Sequence, residues 1–229
     1  YGVSGLGGFE HGRSVRLWLY LSEISALLAE SIGQYSQLYF WSARRRFSGL
    51  VPANCLTRCP AMRILLIRHA RAEDHTQIPG RADDSARRLT ARGRRDMRKA
   101  ARGLCKIAPE LDLLAASPLR RAQETAGILA RAFGGIEPVE LPLLAPGGSP
   151  LQMLAWLATL PTDTAVALVG HEPDLGRLAS WLLSGKNDSF VELKKGAACL
   201  IEFDRHPKAG AGRLLWAMTP GQLRTLADA

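Results

Sequence analysis

Three short polar segments of this chain hold residue types that could do chemistry together: Arg68-His69-Ala70, Ser117-Pro118-Leu119-Arg120-Arg121 and Gly170-His171-Glu172. Imidazole titrates near neutral pH and can serve as base, acid or nucleophile, and planar guanidinium groups suit the oxygens of an anion. Each segment follows an apolar run that reads as a buried strand. A lone histidine after a strand is more often structural than catalytic, and an arginine at a helix start is usually a solvated charge. Two histidines and two arginines at matching strand ends are a different matter, because in open α/β sheets the ligand crevice lies outside the carboxyl ends of the strands.

The elements that must position these residues follow from pattern. From Arg63 onward, short apolar runs alternate with longer helical stretches, which predicts an α/β domain on a largely parallel sheet. Ile64 to Ile67, Leu111 to Ala116, Val139 to Leu143 and Ala165 to Val169 are strand candidates. Helices are expected over Thr90 to Lys106, with Thr90 as N-cap, about Pro118 to Phe133, Ser149 to Leu160 and Asp174 to Leu183. Ala197 to Phe203 and Arg213 to Met218 read as closing strands around a turn at His206 to Gly212. Ser117 is expected to cap the helix that follows it rather than to act as a nucleophile. His75, His206 and Glu172 read as loop residues outside the chemistry.

Upstream of residue 61 the composition changes. Residues 1–61 are read as an extension peripheral to the domain over residues 62–229, with Met62 as a possible natural start and a helix somewhere within residues 22–42. No uninterrupted apolar run there reaches the roughly 18 to 20 residues needed to span a bilayer, and the pattern fits a cleaved export signal poorly.

The chain has 229 residues, 47% hydrophobic and 22% charged, enough to bury a full core. Its 30 Lys and Arg against 21 Asp and Glu give a net charge of +9, which favours an acidic or phosphorylated partner. The arginines are spread along the chain without zinc-finger spacing or basic-aromatic runs, so nucleic acid and membrane are not expected partners. Cys55, Cys59, Cys105 and Cys199 are too scattered for a disulfide framework and lack the further ligands of a zinc site, so a reducing cytoplasm is the expected location.

With these segments in view, residues 62–229 resemble the histidine phosphatase superfamily, whose signature is Arg-His-Gly at the end of the first strand. Here the third residue is Ala70. Within the superfamily the chain most resembles the short SixA-type phosphohistidine phosphatases. The likeness runs through Asp84-Ser85-Ala86-Arg87-Arg88-Leu89-Thr90, Ser117 to Thr125, and Met218-Thr219-Pro220-Gly221-Gln222-Leu223. The resemblance implies a phosphoglycerate mutase-like fold of three layers, a mostly parallel mixed sheet flanked by helices on both faces. It also implies that His69 is the nucleophile, forming a phosphohistidine intermediate. Arg68, Arg121 and Arg87, the last in preference to Arg88, would clamp the phosphoryl oxygens, and His171 would donate to one of them. No metal or other cofactor is expected, since the arginines neutralise the phosphate.

The expected activity is removal of phosphate from a protein phosphohistidine, such as that of a histidine-containing phosphotransfer domain. A small-molecule phosphomonoesterase and a non-catalytic module that binds phosphorylated partners are the alternatives. One further feature bears on the substrate. The stretch after the third strand, where relatives can place a proton-donating acid, offers Leu143 and Leu144.

Overall fold

The computed structural model describes residues 61–74 and 84–229. The expectations for residues 1–60, for Cys55 and Cys59 and for His75 lie outside these residues. Six strands form one mixed sheet: β1 (Met62–Arg68), β2 (Leu113–Ala116), β3 (Pro138–Glu140), β4 (Ala165–Gly170), β5 (Ala198–Phe203) and β6 (Arg213–Met218). Their spatial order is β3-β2-β4-β1-β5-β6. β1 to β4 run parallel, and β5 pairs antiparallel with both β1 and β6. Five helices accompany them: α1 (Ala91–Ile107), α2 (Arg120–Ala132), α3 (Pro150–Leu157), α4 (Asp174–Ser184) and α5 (Pro220–Leu226).

The central strands are apolar without alternation because both faces of the sheet are covered. Leu65, Ile67, Leu114, Ala116, Ala167 and Val169 point into one core, shared with Met97 and Leu104 of α1, Ala122, Ala126 and Leu129 of α2, and Leu223 of α5. The alternate residues Ile64, Leu66, Ala115, Val166 and Leu168 are equally buried on the opposite face, where α4 packs against β1 and α3 against α4. This is the expected three-layer α/β architecture.

The order of strands decides where the site lies. β4, late in sequence, inserts between β1 and β2, so the carboxyl ends of these three strands stand side by side. Register is tight there: Arg68 is level with Gly170, and Ala116 with Val169. The ladder continues one residue further on each side, His69 N–H donating to Gly170 O at 3.1 Å and Ser117 N–H to Val169 O at 3.0 Å.

Helix starts complete the frame. Thr90 caps α1 by accepting from Gly93 N–H at 2.9 Å. Gly93 is required by contact, since a Cβ there would lie 2.0 Å from Arg71 O, so α1 sits directly against the segment after His69. Two expectations are corrected. α2 begins at Arg120 with Leu119 at its N-cap, because Ser117 and Pro118 form a turn before it. The expected strand Val139 to Leu143 ends at Glu140 and becomes a 3-10 turn over Pro142–Leu144, since proline has no N–H for a ladder. α5 was not expected; Thr219 and Gln222 form a full capping box at its start.

Candidate active site

His69, Arg121 and His171, together with Ser117, are buried where the three strands end. The two imidazole rings lie with centroids 5.0 Å apart. His69 Nδ1 is 2.8 Å from Ala70 O. A carbonyl only accepts, so Nδ1 carries the proton and Nε2 is left with its lone pair. Arg121 Nε–H donates to that Nε2 at 3.3 Å, which requires the same tautomer. Burial above all lowers the pKa of His69 from 6.5 to about 3; the bond to Ala70 O opposes this, and the charges of His171, Arg121 and Arg68 add to it. The ring is therefore neutral at physiological pH, with one bare nitrogen.

His171 has the complementary arrangement. Its Nε2 lies 2.8 Å from Ser117 Oγ, which also accepts from Leu119 N–H at 3.3 Å; the hydroxyl keeps its own proton and a second lone pair, so it can donate to the ring or accept from it. Burial, reinforced first by Arg121, lowers the His171 pKa to about 4. A neutral His171 that accepts at Nε2 must carry its proton on Nδ1. That Nδ1 is buried and has no hydrogen-bond partner among the described residues, and the same holds for Arg68 Nε. Arg68 Nε–H and, in the tautomer where Ser117 donates to the ring, His171 Nδ1–H are the buried groups beside an unprotonated imidazole nitrogen that an anion would satisfy.

The arginines are held from behind. Arg68 Nη1 donates to Leu193 O at 2.7 Å, and Leu193 N–H donates to Glu172 Oε1 at 2.9 Å. Glu172 is thus engaged in fixing the loop that orients Arg68, more than the bystander that the sequence reading makes it. Arg121 donates through Nη1 to Asp84 O and through Nη2 to Asp84 Oδ2, each at 2.8 Å. Arg87 Nε donates to Asp84 Oδ1 at 2.7 Å, so one carboxylate bridges both guanidiniums. Partial burial works to raise the Asp84 pKa, but Arg121 and Arg87 hold it below its ordinary value. Through Asp84, Arg87 joins the cluster, whereas Arg88 is exposed. Ala70 N–H donates to Thr125 Oγ1, which in turn donates to Arg121 O, tying the segment after β1 to the first turns of α2. Among the described residues only glycines have positive φ, so alanine at position 70 is unstrained. His206 lies in the loop between β5 and β6, away from the cluster.

Asp84, Ser117 as partner of His171, and Thr125 were not nominated as site residues from sequence. The signal for Asp84 was an acid three residues before Arg87. Among the described residues there is no group of three or more side chains arranged to hold a metal ion, and no helix is long and apolar enough to cross a membrane.

Comparison with known proteins agrees with this geometry. Residues 64–145 match the model of the histidine phosphatase superfamily (branch 1). An uncharacterized protein of Picosynechococcus sp. is 36% identical over 136 residues, covering 58% of this chain and 81% of that protein. The protein histidine phosphatase SixA, solved with tungstate, superposes with a TM-score of 0.61 at 26% identity, over 71% of this chain and 99% of SixA. A mycobacterial glucosyl-3-phosphoglycerate phosphatase shares the fold, with a TM-score of 0.52 at 19% identity over 68% of this chain and 97% of that one. The chain belongs to the histidine phosphatase superfamily and is of the SixA type within it. Its class of activity is that of a phosphatase.

Proposed function

We propose that this phosphatase removes phosphate from phosphohistidine on a protein, through a phosphohistidine intermediate on His69. The observation that carries the reading is the pairing of an unprotonated His69 Nε2 with two buried nitrogens that have no partner among the described residues, Arg68 Nε and His171 Nδ1, the latter acting as a donor when the Ser117 hydroxyl donates to Nε2. Nε2 attacks phosphorus, the new N–P bond forms, and the N–P bond of the substrate breaks. The substrate ring, protonated on its other nitrogen, departs as neutral imidazole. Water then attacks phosphorus, the bond electrons return to His69 Nε2, and both water protons leave with the product as dihydrogen phosphate. Arg68, Arg121, Arg87 and His171 stabilise the charge on the transferring oxygens. Arg121 Nε–H moves from the His69 lone pair to a phosphoryl oxygen as substrate enters.

The substrate class rests on the leaving group. An alkoxide needs a proton donor as it departs, whereas imidazole is far less basic. Leu143 and Leu144 line the small cavity beside His171. Asp174 lines it too, but its Oδ2 accepts from Gly147 N–H at 2.8 Å, and Glu172 is committed to Leu193. The pocket therefore suits phosphoramidate and aryl phosphate bonds. Catalytic efficiencies on a phosphohistidine protein, an aryl phosphate and a sugar phosphate should fall steeply in the order of leaving-group basicity. Comparable values for phosphohistidine and an unactivated sugar phosphate would favour a general phosphomonoesterase and return Asp174 or Glu172 to candidacy as an acid. Phosphate binding without turnover of any substrate would favour a phospho-partner binding module.

A further inference from the structure

Next to Arg68 and Ala70 opens a groove of about 370 Å³ whose rim is formed by Arg71, Arg92, Lys194, Lys195 and Arg224. A second cavity of about 380 Å³ adjoins it and shares Arg71, Arg92 and Lys195. Against these cations stand Asp96 in the first cavity, 3.5 Å from Arg92 Nε, and Asp74 in the second. None of the five rim cations takes part in the chemistry described above. They are nevertheless tied to it in sequence and space. Arg71 lies two residues after His69, and Lys194 and Lys195 follow Leu193, whose carbonyl holds Arg68.

We propose that this groove is a docking surface for an acidic face of the phosphoprotein substrate. The proposal rests on the phosphohistidine phosphatase reading and names the surface its substrate protein would present. The character of the cations favours a protein face over a small anion. Arg71, Arg92, Lys194 and Lys195 are exposed, the Arg92 side chain to 69%, so each is a long solvated chain that would lose rotamer freedom in closing around a small ligand. A spread of solvated charge of one sign instead steers and orients a large surface of the opposite sign, and a protein that brings its phosphohistidine to His69 must cover residues next to Arg68. Among the described residues the lining has no aromatic side chain on which the bases of a single-stranded nucleic acid could stack.

The test uses the full chain and the double variant Arg92→Glu/Lys195→Glu. A glutamate in the first turn of α1 suits the helix N-terminus, and Lys195 is an exposed loop residue, so the fold is preserved; melting curves check this. The probes are an acidic histidine-containing phosphotransfer domain, chemically phosphorylated, and the small compound phosphoimidazole. At low salt kcat/KM on the domain should fall ~10-fold or more, with kcat and the efficiency on phosphoimidazole within ~2-fold of the parent, and added salt should erode the parent's advantage. Equal losses on both probes, or no loss on either, would overturn the proposal. Binding of the unphosphorylated domain is measured in parallel. If the parent turns over neither probe, the functional reading falls. The docking surface then stands only if the parent binds the domain in a salt-dependent way and the variant does not. Weakened binding of an RNA oligonucleotide by the variant, with unchanged efficiency on the domain, would assign the groove to nucleic acid and likewise overturn it.

Discussion

Two neutral imidazoles buried side by side make the fold sensitive to acid in a window that the rings themselves define. Their folded-state pKa values, about 3 for His69 and about 4 for His171, lie below the 6.5 of an ordinary histidine. Between those values the unfolded chain binds more protons than the folded one, so stability rises with pH and is lost as pH falls below 6.5. At pH 5 an unfolded imidazole is ~97% protonated while both folded rings are ~90% or more neutral. Each ring then costs roughly 2 kcal/mol relative to pH 7.5, about 4 kcal/mol for the pair, as an upper estimate. The carboxyls of Asp84 and Glu202, held low by arginines against partial burial, lose their contribution only as pH falls below their ordinary 3.8 and 4.5.

The comparison is the parent against His69→Asn/His171→Asn, by urea unfolding at pH 7.5 and 5.0 in buffers without phosphate or sulfate, since a bound oxyanion would raise the pKa of both rings and shrink the effect. The parent should lose most of that ~4 kcal/mol and the double variant ~1 kcal/mol or less. Glu172, whose pKa burial raises, pulls the other way but is present in both proteins and cancels. Equal acid losses in the two proteins would refute the claim that both rings are buried in the neutral form, and with it the poised nucleophile.

Substituting His69→Ala should abolish turnover and the acid-labile phosphoenzyme while far-UV circular dichroism stays native; undiminished hydrolysis would end the mechanism. Arg121→Ala should slow turnover on the order of 100-fold or more, as loss of an oxyanion donor does, and a loss below tenfold would remove Arg121 from contact with the phosphoryl group. Ser117→Ala releases His171 Nε2 and frees the ring to take the wrong tautomer. At about 1 kcal/mol for the hydrogen bond, kcat should fall roughly 5- to 10-fold. Nitrogen chemical shifts should show the Nδ1–H form depleted, and an unchanged tautomer would show that Ser117 does not set the position of the His171 proton.

How much of this was legible in the sequence depended on how local each determinant is. β1 and β4 were plain because strands covered on both faces are apolar at every position, and Thr90 announced α1 because a cap acts within one turn. The boundary errors were local too, in the turn that Ser117 and Pro118 make before α2 and at Pro142. α5 is the exception: its start carries local signals, the capping-box spacing of Thr219 and Gln222 and Pro220 in the first turn, but its seven residues are too short to show a helical period.

The site divides along the same line. Its histidines and arginines could be nominated from their places at strand ends, but their partners could not. Asp84 meets Arg121 across 37 residues and His171 meets Ser117 across 54, and the second pairing exists only because β4 enters the sheet between β1 and β2. The consequence reaches the chemistry itself. A sequence can nominate two histidines at strand ends, yet the proposed reaction asks opposite things of them, an unprotonated nitrogen from His69 and an N–H from His171. The Ala70 carbonyl, which only accepts, fixes the proton of His69 on Nδ1, while the Ser117 hydroxyl meets His171 at Nε2 and by donating there leaves the ring its N–H on Nδ1 for the phosphate.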